Sequence, residues 1–290
     1  MAVVKEIKNK INSIINTKKI TKAMEMVAVS KMKKIQEKLF NCRPYYENLI
    51  KVINHITYAN LEYKHQYFQK RKVKNIGIII ISTDRGLCSN LNTNLFKKIL
   101  LYIEKYSKKN ITFKLIIFGS KGWKFFNDLN INILGGMTGI HEKINISELL
   151  GHIHIFLKEY NQKSIDKISI AYNHFYNTMI QKPKIINLLP INQTIQQDAI
   201  TRWDYIYEPN SKILLDTLLN RFIESQIYQS ILENLTSEQA ARMIAMKTAT
   251  DNSSNVIKEL KLIYNKARQS SITQELIEII SGASVISTNE

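Results

Sequence analysis

A chain of 290 residues, 44% of them hydrophobic, is long enough to bury a real core and fits one or two domains. Its net charge of +17 invites an anionic partner: nucleic acid, anionic lipid or an acidic protein surface. Two cysteines, Cys42 and Cys88, exclude a disulfide framework and fit a reducing compartment; the longest apolar run, IGIIII at 76–81, is too short for a membrane span, and the N-terminus lacks the apolar stretch of a secretory signal.

Charge and chain-breaking residues divide the sequence. Residues 1–75 hold 17 Lys/Arg against 5 Asp/Glu, residues 76–208 hold 16 against 10, and residues 209–290 hold 8 against 9. The first quarter has no glycine and one proline, Pro44, so it reads as a long helix in which Pro44 should either produce a kink or remove one hydrogen bond. Its apolar residues Ile20, Met24, Ala28, Met32, Ile35, Leu39, Cys42, Tyr46, Leu49, Ile53 and Ile56 settle from Met32 onward into alternating steps of three and four. That alternation is the seam of a coiled coil.

The middle alternates strand and helix. VKNIGIIIIS (73–82) reads as a buried strand, 90–106 as an amphipathic helix, and FKLIIFG (113–119) as a second strand. A helix at 120–129, a short strand near 131–134 and a helix at 146–160 with Ser147 as its cap follow, then strands at 166–177 and 184–190. Such alternation predicts an α/β layer with at least partly parallel pairing. Residues 210–281 again lack both glycine and proline. They predict one helix of about 108 Å at 1.5 Å per residue, started at Pro209 and weakest at TATDNSSN, 248–255. A helix that long must protrude, and its natural partner is the first helix, lying antiparallel.

Three loops are candidates for chemistry. STDRGLCSN (82–90) follows the first strand, where open α/β sheets bind ligands, and offers Asp84, Arg85 and the Cys88 thiol around a turn at Gly86. GSKGWKFF (119–126) has two glycines that admit either a phosphate or a tight strand-to-helix turn, and GGMTGIHEK (135–143) reads as a loop. The phosphate-binding glycine patterns are absent, as are a metal-ligand spacing and a nucleophile–base set. A mechanical or binding role is therefore favoured over an enzyme.

Six ordered blocks, KEIKNKI…NTKKITKAMEMVAVSKMKK (5–34), RPY (43–45), STDRGLC (82–88), RWDYIYEP (202–209), SEQAARMIAMKTATDN (237–252) and LIYNKARQSSITQELIEIISGA (262–283), carry a resemblance to the γ subunit of bacterial F-type ATP synthases. The resemblance implies an α/β fold in which residues 1–58 and 209–290 form a long antiparallel two-helix coiled coil. A Rossmann-like α/β domain at 76–190 is inserted between them through linkers at 59–75 and 191–208. It implies a non-catalytic rotor shaft that couples proton-driven rotation of a c ring to ATP synthesis and hydrolysis on β subunits. The implied partners are α, β, ε and the c ring, with no cofactor, metal or nucleic acid. The implied place is the cytoplasmic side of the inner membrane, touched only through the complex. By position, Met24, Lys19, Lys22, Lys31, Asp84, Arg85, Cys88, Arg242, Gln269 and Thr273 match parts that face β, and Tyr205, Tyr207 and Glu208 match the segment at the c ring and ε. Where the family often has glycines after DRGLC, this chain carries Ser89 and Asn90.

Two other readings stand beside this one. A basic coiled-coil protein that binds nucleic acid suits the charge but has no recognition motif. An α/β enzyme working through Asp84, Arg85 and Cys88 suits the loop position alone.

Overall fold

The computed structural model describes residues 2–59, 65–108, 110–129, 131–139, 146–191, 208 and 210–287. The chain forms two compact units, Met1–Val27 with Met243–Glu290, and Ala28–Arg242. Helices α1 (Ala2–Ala59) and α5 (Ser211–Ser287) each contribute to both.

The first unit pairs the start of α1 with the second half of α5. Ile11, Thr21, Met246 and Thr250 are buried, and the Thr21 and Thr250 hydroxyls meet at 2.8 Å. The seam expected from Ile20 is shifted: Ile20 is 60% exposed and Thr21 takes the buried position. Three successive steps of four from Ile20 to Met32 swing the stripe by about 120° at 3.6 residues per turn, whereas the seven-residue step from Ala28 back to Thr21 nearly preserves the face. The polar patch at 248–255 does not break α5. Thr250, Ser253 and Ser254 donate to the carbonyls of Met246, Ala249 and Thr250, so their hydroxyls are absorbed by the helix's own backbone.

The second unit is built on a five-stranded sheet: β1 (Asn75–Ile81), β2 (Thr112–Phe118), β3 (Ile133–Met137), β4 (Lys167–Phe175) and β5 (Gln181–Leu189), in spatial order β3-β2-β1-β4-β5. Pairing is parallel except between β4 and the edge strand β5. Helices α2 (Leu91–Ser107) and α3 (Ser120–Asn127) connect β1 to β2 to β3, and α4 (Ile146–Asn161) returns the chain to β4 on the far side of β1. The reversal of direction obliges α4 to cover the opposite face if every crossover is right-handed.

Period-2 alternation sorts the strand residues between the faces. Ile76, Ile78 and Ile80 join Leu115, Leu95, Ile99 and Phe126 on the α2/α3 face. Ile79 and Ile81 join Ile116, Phe118, Phe156 and Tyr160 on the other face, where α1 and α5 also pack through Ile35, Leu49, Ile53, Ile223, Ile227 and Ile231. The heptad positions from Met32 to Ile56 thus lie on one buried or half-buried stripe. Tyr46 stacks on Phe222 with ring centroids 5.7 Å apart and donates its hydroxyl to Gln226. Pro44 is exposed and α1 runs through it.

Two local expectations change. Gly135 and Gly136 belong to β3 rather than to a loop, because Trp123 and the Ile117 carbonyl press so close that a Cβ at Gly136 would lie 2.2 Å from that oxygen. Helix α4 already contains Ser147, which is therefore not its cap. Pro209 falls outside the described residues.

Gly77 lets α4 approach the sheet, since a Cβ there would lie 2.6 Å from the Phe156 ring. Gly77→Ala is expected to cost about 1–3 kcal/mol by overpacking, read as a shift in the urea midpoint. The penalty should shrink in a Phe156→Leu background; an equal penalty in both would show that the ring is not the obstacle.

Candidate functional site

The strand order reverses between β1 and β4, and the carboxyl ends of these strands flank the crevice where open α/β sheets bind ligands. Here that crevice is filled by α5. Asn234 Oδ1 accepts from the Asn173 backbone N–H at 3.1 Å and from its side-chain amide at 3.0 Å. Ser237 donates to the Asn173 carbonyl at 2.9 Å, and His174 Nδ1 contacts Glu233. Glu233 and the burial of the ring together push the neighbouring Tyr172 hydroxyl far above its usual range, burial being the larger cause. Residues 230–242 of α5 are buried without interruption, as expected of a helix lodged in a groove rather than lying on a surface.

The 82–90 loop is consumed by the same closure. Ser82 Oγ accepts from the Gly122 N–H at 2.9 Å and donates to the Phe118 and Gly119 carbonyls. A Cβ on Gly119 or Gly122 would lie 2.6 Å from Ser82 Oγ, so these glycines make room for Ser82 and not for a phosphate. Asp84 Oδ1 accepts from the Ser120 and Gly139 N–H groups at 2.9 and 3.1 Å, tying the loop to the start of α3 and to the segment after β3. Thr83 and Asn92 bond each other, and Cys88 lies buried beside them under Leu91 and Ala241. Burial raises the Cys88 thiol above its ordinary pKa, the reverse of an activated nucleophile.

Arg242 locks this arrangement. Its guanidinium, 8% exposed, donates to Glu238 at 2.6 Å, Gln239 at 3.1 Å and the Gly86 carbonyl at 3.2 Å. The left-handed turn residues are Leu87 (φ 64°) and Ser89 (φ 55°), not Gly86. Glycine would adopt the φ of Ser89 without strain, so the serine holds a turn conformation that its Cβ disfavours. Arg85 and Leu87 remain exposed on the outside of the turn.

The residues singled out from the sequence therefore fall into groups. Asp84, Arg85, Cys88 and Arg242 come together at one loop. In the first unit, Lys19 is exposed, Lys22 pairs with Glu25 at 3.1 Å and Met24 is half-buried beside the seam. On α5 of the same unit Gln269 and Thr273 are exposed, with the Thr273 hydroxyl donating to the Gln269 carbonyl. Lys31, in the second unit, is half-buried and Glu208 is exposed; Tyr205 and Tyr207 lie outside the described residues. The sequence reading missed Asn173, Asn234, Glu233 and Ser237. Their signal was a run of polar residues, ENLTSEQ, inside a long helix with no solvent-facing period.

The end of α5 has a different character. Residues 272–281 are exposed, including Leu276 (53%), Ile279 (67%) and Ile280 (66%). Ile272, Leu276, Ile277, Ile279 and Ile280 share one exposed side of the helix, opposite Gln274, Glu275 and Glu278, and an exposed apolar face of this kind is suited to cover by other chains.

Arg242→Ala is expected to destabilise the fold by about 3 kcal/mol, because it leaves Glu238 without its buried cation. Arg242→Ala combined with Glu238→Ala should recover most of that loss in urea unfolding. A double variant as unstable as the single one would contradict the lock.

The profile of the ATP synthase family matches residues 3–286. The ATP synthase gamma chain of Buchnera aphidicola subsp. Acyrthosiphon pisum is 59% identical over 288 residues, 99% of either chain. That of Buchnera aphidicola subsp. Diuraphis noxia is 56% identical over 289 residues, covering 99% of this chain and all of the relative. Among solved structures, a chain of the Euglena gracilis mitochondrial ATP synthase aligns over 98% of this chain and 95% of its own length, with a TM-score of 0.66 at 18% identity. A chain from the Tetrahymena thermophila mitochondrial ATP synthase central stalk and c ring aligns over 79% and 99%, with a TM-score of 0.58 at 23% identity. These two share the fold, and the near-complete match to the bacterial sequences settles the kinship: the chain belongs to the ATP synthase γ-chain family.

Proposed function

We propose that this chain works as a shaft enclosed by a ring of α and β subunits, and that its opposite end is held by ε and the c ring. As a γ chain it is the central-stalk rotor of ATP synthase, and catalysis occurs on the β subunits. The observation that carries the proposal is the end of α5, where Leu276, Ile279 and Ile280 are all exposed and require an apolar bearing. The nucleic-acid reading falls to the family match. The enzyme reading falls to geometry, since the crevice holds a helix and Cys88 is buried.

Each contact has a physical rationale. Lys19 and Lys22 accompany Met24 in the first unit and Lys31 adds a cation in the second; such positive charge suits an acidic loop of β, and Met24 offers a soft apolar side chain that tolerates a changing neighbour. Gln269 and Thr273 stand on the exposed face of α5 within reach of a surrounding ring. Arg85 and Leu87 present the outer side of the turn to the ring's rim. Asp84, Cys88 and Arg242 act through that turn by fixing its shape. Tyr205, Tyr207 and Glu208 meet the c ring and ε at the foot, on the cytoplasmic side of the inner membrane. Among the described residues no helix is long and apolar enough to cross a membrane, so attachment comes through partners or a surface.

Mixing the chain with purified α and β subunits should yield a complex that hydrolyses ATP, and omitting it should abolish that activity. Absence of any complex would refute the proposal. Within the assembled enzyme, Met24→Lys should lower proton transport per ATP hydrolysed while leaving the thermal midpoint of the chain nearly unchanged. A variant that merely unfolds would reduce Met24 to a seam residue.

A further inference from the structure

The amino ends of the parallel strands gather a second positive surface, distinct from the lysines of α1. Three segments meet there. The Asp166 carboxylate accepts from the Lys74 and Asn75 N–H groups at 2.8 and 3.0 Å, Asp166 N–H donates to the Asn75 carbonyl at 3.0 Å, and Thr112 N–H donates to the Lys74 carbonyl at 3.0 Å. Arg71 donates to the Tyr160 carbonyl at 3.0 Å and lies over the Tyr160 ring. Residues 69–75, 104–108 and 158–167 together hold nine Lys/Arg against three Asp/Glu. All three carboxylates are engaged: Asp166 by backbone N–H groups, Glu104 by Lys108 at 3.3 Å and Glu159 by Lys114 at 2.6 Å.

The run KRKVK at 70–74 is sorted by alternation, as an extended segment requires. Arg71 turns inward onto Tyr160 and Val73 packs into the core, while Lys70, Lys72 and Lys74 are exposed. Lys105 and Lys163 are exposed at the same end, and none of these five is paired with a described carboxylate. None of the large exposed apolar side chains falls in these segments. A protein interface normally has an apolar or aromatic centre. A polar face dominated by exposed cations instead matches a diffuse layer of anionic headgroups.

We propose that this face makes direct electrostatic contact with anionic lipid at the membrane surface. The inference rests on the rotor reading, in which the segment after Ile191 reaches the c ring. The Ile191 N–H bonds the Tyr67 carbonyl at 2.8 Å, and β5 ends opposite Ile168, so that segment leaves from the same end of the sheet. The face then lies on the membrane side of the unit, and the contact adds to attachment through the complex.

The test is co-sedimentation of the full chain with vesicles of about 30% phosphatidylglycerol in phosphatidylcholine, against phosphatidylcholine alone, at about 50 and about 300 mM salt. Binding is expected only to the anionic vesicles and should weaken with salt. A variant carrying Lys70→Ser, Lys72→Ser, Lys74→Ser, Lys105→Ser and Lys163→Ser should bind about tenfold or more weakly. A control with Lys5→Ser, Lys8→Ser, Lys10→Ser, Lys18→Ser and Lys33→Ser should retain the parent affinity. If the first variant does not fold by circular dichroism, the pair Lys72→Ser and Lys74→Ser should still reduce binding and its salt slope. Equal binding by parent and face variant, loss in the α1 control, or no preference for anionic vesicles would overturn the inference. Any of these in a chain that still assembles with α and β leaves the rotor reading standing; failure of the parent to assemble overturns that reading instead.

Discussion

Everything in the second unit depends on helix α5 occupying the crevice at the carboxyl edge of the sheet. Asn173, at the end of β4, is fully buried, and its backbone N–H, carbonyl and side-chain amide all bond to α5. Such bonds are worth about 1 kcal/mol each when made, and cost more when a buried partner is removed. The crevice therefore favours this one helix over a small ligand and fixes which residues of α5 face the sheet. A fold that elsewhere serves to bind nucleotides becomes a bracket on a shaft. The 82–90 loop follows from that choice: with α5 above it, Cys88 is covered, Asp84 turns to α3, and Arg242 reaches down to Gly86.

This geometry suits a part that must carry torque. A domain joined to a helix through a flexible linker would slip as the helix turned. Here the joint consists of buried polar pairs with directional bonds, set among the apolar contacts of Ile223, Ile227 and Ile231 with the sheet-side core. Apolar packing alone tolerates small rotations of a helix about its axis, whereas the Asn173–Asn234 and Ser237 bonds do not. Two parts of α5 differ in character. The buried run from Ser230 to Arg242 holds the α/β unit, and the later turns around Leu276, Ile279 and Ile280 expose an apolar face.

Much of this was legible in the sequence. The breaker-free terminal segments gave both long helices, and the three-four alternation from Met32 gave the seam through Leu49, Ile53 and Ile56, because heptad spacing is a property of the helix alone. The strand–helix alternation gave the α/β class, and the ordered blocks gave the family. What could not be read were matters settled by tertiary contact. Ile20 scored as seam because single steps of four look regular over short distances, yet they drift. The 248–255 patch looked weak because hydroxyl back-bonding to i−4 carbonyls leaves no composition signal. Gly119, Gly122 and Gly136 looked like loop or phosphate glycines, but each answers to a neighbour far away in sequence: Ser82 for the first two, Trp123 and the Ile117 carbonyl for the third. The locking residues Asn173 and Asn234 were passed over because a polar side chain in a strand or helix is normally solvent-facing, and only the polar run ENLTSEQ around Asn234 hints otherwise.

Native-state hydrogen exchange tests the joint most directly. Amides of α5 from Ser230 to Arg242 and those of β4 from Ala171 to His174 should exchange with one common opening free energy, equal to that of the central strand β1, because removing the helix exposes the strand ends. If 230–242 exchange through a separate opening several kcal/mol below that of β1, the helix is not locked into the sheet, and the account of α5 as a torque-bearing joint is contradicted.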